Sequence, residues 1–138
     1  MFVGVHERQL DERGRVALPS TFRTDLGEHC YLFLGDDGCV SVRSEESFED
    51  QAAELIEQVK RGEASRDRKR AFSSSATHAT IDKQGRVTID ARLREHAGID
   101  PNGTVMVLGS LDQIEIWNPE SYRASEEAGQ HEIAGTGR

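Results

Sequence analysis

Apolar positions along this chain follow a strand-like period of two in short stretches, separated by brief helical patterns, and the same succession occurs twice. Val5 to Leu10 reads as a short strand, with Ala76 to Ile81 as its counterpart. Arg15-Val16-Ala17-Leu18 and Arg86-Val87-Thr88-Ile89 alternate polar and apolar residues, as half-buried strands do. One or two helical turns follow each, Ser20 to Leu26 and Ala91 to Ala97, stopped by Gly27 and Gly98. Pro19 suits the first turn of the earlier helix. A hairpin then closes each succession, residues 30–34 with 39–43 and Thr104 to Gly109 with Gln113 to Trp117. If the first of these turns near Asp36-Asp37, Cys39 lies opposite Leu34 and Cys30 opposite Arg43.

Between the two successions a longer helix is predicted. Ser44 is its cap, with Glu45 and Glu46 favourable at its positive end. Phe48, Ala52, Leu55, Ile56 and Val59 fall on one face. Near the C-terminus, Pro119 and Glu120 open a shorter helix through Tyr122. Beyond Ala124 the glycines and the scarcity of apolar residues predict a tail without fixed structure.

The recurrence is visible in the residues themselves. Asp11 to Arg23 aligns with Asp82 to Arg94 at an offset of 71, with five of thirteen positions identical. Downstream, Gly35, Val40, Val42, Ser47 and Phe48 match Gly109, Ile114, Ile116, Ser121 and Tyr122 at an offset of 74. A three-residue insertion around Asp100 to Gly103 accounts for the change. The chain is therefore expected to hold a first repeat with its helix and linker (1–70), a second repeat (71–124) and an unstructured tail (125–138). Within each repeat the Asp-x-x-Gly stretch, Asp11 to Gly14 or Asp82 to Gly85, forms a hairpin turn: the aspartate caps its own backbone and the glycine supplies a positive φ.

Composition narrows the chemistry. The 138 residues carry 17 Lys and Arg against 25 Asp and Glu, a formal net charge of −8. No apolar run approaches the ~18 residues of a membrane span. Residues Met1 to Glu7 lack the basic and apolar regions of a secretory signal, so the cell interior is the expected location. Two cysteines make no disulfide framework and are expected as buried, reduced thiols. The histidines at 6, 29, 78, 96 and 131 show no ligand spacing, so neither a metal site nor a cofactor is expected. With no phosphate-cradling loop and no nucleophile motif, an enzyme with a small-molecule substrate is disfavoured. An acidic balance opposes nucleic-acid binding at first sight. The charge is unevenly distributed, however: Ser44 to Val59 holds six acids and no base, while Lys60 to Arg70 holds six bases and two acids.

The doubled pattern Asp-x-x-Gly-Arg-Val resembles the AbrB-type swapped-hairpin DNA-binding domain. Two fused copies, an opening Met-Phe-x-Gly, the run Leu93-Arg94-Glu95-His96-Ala97-Gly98-Ile99 and the ending Ile114-Glu115-Ile116-Trp117 resemble the MraZ family of transcriptional regulators from Met1 to about Tyr122. That resemblance implies a β-rich α+β fold, an intertwined double swapped-hairpin barrel with pseudo-twofold symmetry and flanking helices. It further implies a ring-like homo-oligomer that binds short, G-rich repeated boxes in double-stranded promoter DNA. The regulated operon would be its own, with division and cell-wall genes, and repression the usual outcome. The location would be cytoplasmic and nucleoid-associated, with no membrane partner. The family usually has proline where this chain has Asp90, and aspartate serves there as a helix cap.

By position, the implied recognition surface maps to Arg13, Arg15, Lys83 and Arg86. An arginine directly after a turn glycine is displayed at a hairpin tip, where its fork suits the O6 and N7 of guanine. Arg13 and Lys83 suit phosphates, which position without specifying. Arg8, Arg23 and Arg94 either add backbone contacts or pair internally. Arg15 and Arg86 have a second reading, as salt bridges with Asp11 and Asp82 that only brace the turns. The alternative function is an AbrB-type antitoxin or protein-interaction module, which calls for a tail with apolar anchors, and this tail offers only Ile133.

Overall fold

Each Asp-x-x-Gly turn closes on its own backbone, yet the strands on its two sides part at once. The computed structural model describes residues 1–135. In it the Asp11 amide donates to the Arg15 carbonyl at 2.9 Å and the Gly14 amide to the Asp11 carbonyl at 3.0 Å. One residue earlier the Leu10 amide turns away to Gly103 O at 2.9 Å. Strand β1 (Val5–Gln9) consequently runs beside β7 (Thr104–Gly109), while β2 (Arg15–Ala17) pairs with β6 (Arg86–Thr88). The second turn repeats the arrangement: Asp82 N bonds Arg86 O, and Ile81 N goes to Glu28 O. The expected local hairpins at these turns are thus replaced by pairing between repeats.

Six strands form one antiparallel sheet in the order β1-β7-β8-β4-β3-β5, where β3 is His29–Leu34, β4 Val40–Ser44, β5 Thr77–Thr80 and β8 Ile114–Trp117. Exchanging each strand for its equivalent in the other repeat leaves that order unchanged when read from the opposite edge. The sheet is open. Its edges are β1 and β5, and β2 and β6, at three residues each, pair only with one another and do not close it into the expected barrel. At its centre Ser41 faces Glu115, flanked by Val40 with Ile116 and Val42 with Ile114.

Helices α1 (Ser20–Leu26) and α4 (Ala91–Ala97) have the predicted bounds. Asp90 caps α4 as expected, accepting from the Leu93 amide at 2.9 Å, and its other oxygen accepts from Thr77 Oγ1 at 3.1 Å. The core is drawn from equivalent positions of both repeats: Val16 and Val87, Leu18 and Ile89, Phe22 and Leu93 are all buried. α2 (Glu45–Lys60) starts at the predicted Ser44 cap. Of its apolar face only Leu55 is buried, and Ile56 remains 44% exposed.

Three expectations are corrected. Residues 66–75, expected as the end of the linker and the start of the second repeat, form α3 (Arg66–Ser75), capped by Ser65. It carries little apolar pattern and is anchored by Phe72, whose ring stacks on Phe48 at 5.1 Å and meets Phe33 edge-on at 5.0 Å. The short C-terminal helix and the tail from residue 125 are in fact one helix, α5 (Pro119–Ala134), because Asn118 caps it and its acidic and alanine-rich sequence sustains it. Residues 136–138 of that expected tail lie outside the described residues. In the β3–β4 hairpin Leu34 pairs with Val40, Tyr31 with Arg43 and Cys30 with Ser44. The loop is five residues, Gly35 to Cys39, one more than the loop between Gly109 and Ile114. The offset of 74 therefore combines four residues added before β7 with one removed from the later turn. Both cysteines are free and buried, and burial pushes each thiol up to about 12.

Candidate nucleic-acid interface

The two turns are built alike. Asp11 Oδ1 accepts from the amides of Arg13 and Arg15, each at 2.9 Å, and Asp82 Oδ1 accepts from Gln84 at 2.9 Å and Arg86 at 2.8 Å. The second oxygen of each carboxylate takes the Nε of the following arginine, Arg15 at 2.7 Å and Arg86 at 2.8 Å. Both carboxyls are held below the usual range, first by the backbone amide of that arginine, then by its side chain and the other turn amide.

The bracing salt bridges weighed from the sequence are therefore present. They engage only Nε, and Arg15 has its two terminal nitrogens outside the pair. In the three-residue ladder Arg86 stands opposite Ala17, and its Nη1 comes within 3.8 Å of Asp11 of the first repeat. The two tips thus share a carboxylate, a link that motif spacing does not reveal. A guanidinium fixed at Nε keeps the in-plane edge of its two outer nitrogens for a partner, the geometry of bidentate recognition.

Arg13 and Lys83 are exposed at the tips, and among the described residues neither side chain has an ion-pair partner. The remaining candidates are held internally. Arg8 donates from Nη1 to Glu7 O at 3.0 Å. Arg94 donates from Nη1 to Ile89 O, and Arg23 is partly buried against the Gly85 turn. Gly14 and Gly85 lie in the two turns with φ of +74° and +78°. Most of the Lys60–Arg70 run is paired within the chain, Lys60 with Glu57, Arg61 with Glu54 and Glu63, Arg68 with Asp36 and Arg70 with Asp67. Among the described residues no group of three or more His, Cys, Asp or Glu is placed to hold a metal ion, and no helix is long and apolar enough to cross a membrane.

Comparison with known proteins gives a consistent picture. A family model described as "MraZ protein, putative antitoxin-like" matches the chain twice, over residues 1–71 and 72–134. The transcriptional regulator MraZ of Lachnoclostridium phytofermentans is 36% identical over 137 residues, covering 97% of this chain and 93% of that protein. That of Micrococcus luteus is 39% identical over 131 residues, covering 93% and 90%. A solution structure of PHS018 from Pyrococcus horikoshii matches at 17% identity and a TM-score of 0.36, over 86% of this chain and 99% of that one.

Proposed function

The chain belongs to the MraZ family, and from that premise we propose that it is a sequence-specific, DNA-binding transcriptional regulator. Its ligand is double-stranded promoter DNA upstream of its own operon, a division and cell-wall cluster. It reads repeated short G-rich boxes and represses by occupying them, in the cytoplasm and on the nucleoid. Arg15 and Arg86 read guanine, and Arg13 and Lys83 contact phosphate.

The observation that carries this reading is the pair of matched tips. Each places an exposed cation beside a guanidinium that its own carboxylate holds by Nε alone. The two repeats act as an intertwined pseudo-dimer of swapped hairpins, a reading supported by the strand order being the same from either edge. Assembly into a homo-oligomeric ring is supported by apolar surface beside the β1 edge, where Met1, Val3 and Leu111 are 84%, 61% and 61% exposed. The backbone bridge from Phe2 to Leu111 brings these residues together.

The test is a gel shift on the DNA upstream of the protein's own gene, with Arg15→Ala and Arg86→Ala beside the wild type. Loss of a bidentate base contact is expected to cost ~1–3 kcal/mol, roughly 5- to 150-fold in affinity, at each site. Unchanged binding in both variants removes the base-reading role from these residues. No binding by the wild type defeats the regulator reading itself.

A further inference from the structure

The arginine that ends each motif does not serve its own repeat. We propose that Arg94 and Arg23 are positioning residues for the recognition turn of the opposite repeat, and that the clamp on the first tip is made while that on the second is slack. The role in recognition rests on the DNA-binding reading of the tips; the clamp itself does not.

Gly14 is buried, and a Cβ built on it would run into Arg94 Nη1 and lie 3.0 Å from Ile89 O. The bare backbone of the first turn therefore lies directly on the guanidinium of a second-repeat helix. Two hydrogen bonds join the same place: Ile89 N donates to Gly14 O at 2.8 Å, and Arg94 Nη1 donates to Ile89 O. The backbone of Ile89 thus holds the turn by its N–H and the arginine by its carbonyl. Gly14 sits between Arg13 and Arg15, so fixing it fixes both proposed contacts.

The second tip repeats the contact. A Cβ on Gly85 would meet Arg23 at Nη1 and lie 2.7 Å from its Cδ and Cζ, and Leu18 N donates to Gly85 O at 2.9 Å. The closing bond is missing: among the described residues no hydrogen bond from Arg23 to Leu18 O matches that from Arg94 Nη1 to Ile89 O, and Arg23 Nε is buried with no acceptor. A buried donor without a partner is costly and holds nothing in place. Arg23 fills the space under its turn without tying it down.

Amide hydrogen exchange on the full chain without DNA tests this, in wild type, Arg94→Ala, Arg94→Lys and Arg23→Ala. In the wild type Gly85 and Arg86 are expected to exchange faster than Gly14 and Arg15. Replacing Arg94 by alanine is expected to speed exchange at Gly14 and Arg15 by roughly tenfold or more, leaving Gly85 and Arg86 within about twofold. Arg23→Ala acts on Gly85 and Arg86 by a smaller factor. If Arg94→Ala does not fold, Arg94→Lys carries the test, since it keeps the charge and stem but not the planar fork. A response in the variant's own repeat, a uniform rise across the core, or no change overturns the clamp. A gel shift across salt concentrations separates positioning from direct contact. Arg94→Gln, which removes the charge, is expected to weaken binding with the salt slope unchanged, whereas a slope reduced by about one makes Arg94 a phosphate contact and overturns the positioning role. Failure of the wild type to bind leaves the exchange result standing and defeats only the DNA reading.

Discussion

At the residue scale the two Asp-x-x-Gly turns depend on their carboxylates. Asp11 accepts from the Arg13 and Arg15 amides and the Arg15 side chain, and also faces Arg86 at 3.8 Å. Its folded pKa is depressed, so its stabilisation is fully present above the ordinary carboxylate pKa near ~4 and is lost as the pH falls through the depressed value. Protection of the Gly14 and Arg15 amides, taken relative to the intrinsic exchange rate at each pH, is therefore expected to hold at neutral pH and to fall only below about pH 4. Asp11→Asn, which keeps the acceptor but not the charge, should loosen the tip and flatten that dependence; an unchanged pH profile in the variant would contradict it. The Asp–Arg bracing within a turn was legible from a spacing of four residues. The contacts of Arg23 and Arg94 were not, because no spacing along the chain encodes which repeat lies above a given glycine.

At the element scale the sequence disclosed the segments that bury an apolar face or carry a cap. α1 and α4 have the predicted bounds, since Phe22 and Leu93 are buried on them and Gly27 and Gly98 end them. α3 was hidden because Phe72 is its one large apolar side chain, packed on the cluster of Tyr31, Phe33 and Phe48, and its other ties, such as Ser75 Oγ accepting from Leu34 N, are polar. The length of α5 was hidden because none of its residues is buried, leaving only propensity to extend it. Removal of residues 127–138 is accordingly expected to change the unfolding free energy by less than about 0.5 kcal/mol in urea denaturation. Asp90→Ala is expected to cost about 1–2 kcal/mol in the same measurement, because it removes both the α4 cap and the acceptor for Thr77. The one-residue error in the β3–β4 register arose where the loop, with Asp37 at φ +65°, is one residue longer than its counterpart.

At the scale of the whole molecule, a net charge of −8 is compatible with the proposed binding if several tips act together. Long-range repulsion from the acidic body is screened beyond about 8 Å at physiological salt, and several tips on successive boxes raise the effective concentration. Affinity for a three-box promoter is therefore expected to exceed that for a single box by at least a hundredfold in a fluorescence titration; equal affinities would rule out avidity. The duplication was legible in the sequence, but the pairing of β1 with β7, β3 with β5 and β2 with β6 came from the fold. That pairing has a consequence for the protein's birth. Val5 emerges from the ribosome about a hundred residues ahead of its ladder partner Leu108. At ~5–20 residues per second the first strand waits roughly 5–20 s for its neighbour. Throughout that interval the nascent half is an unfinished edge, dependent on holding factors or on prompt completion of the chain.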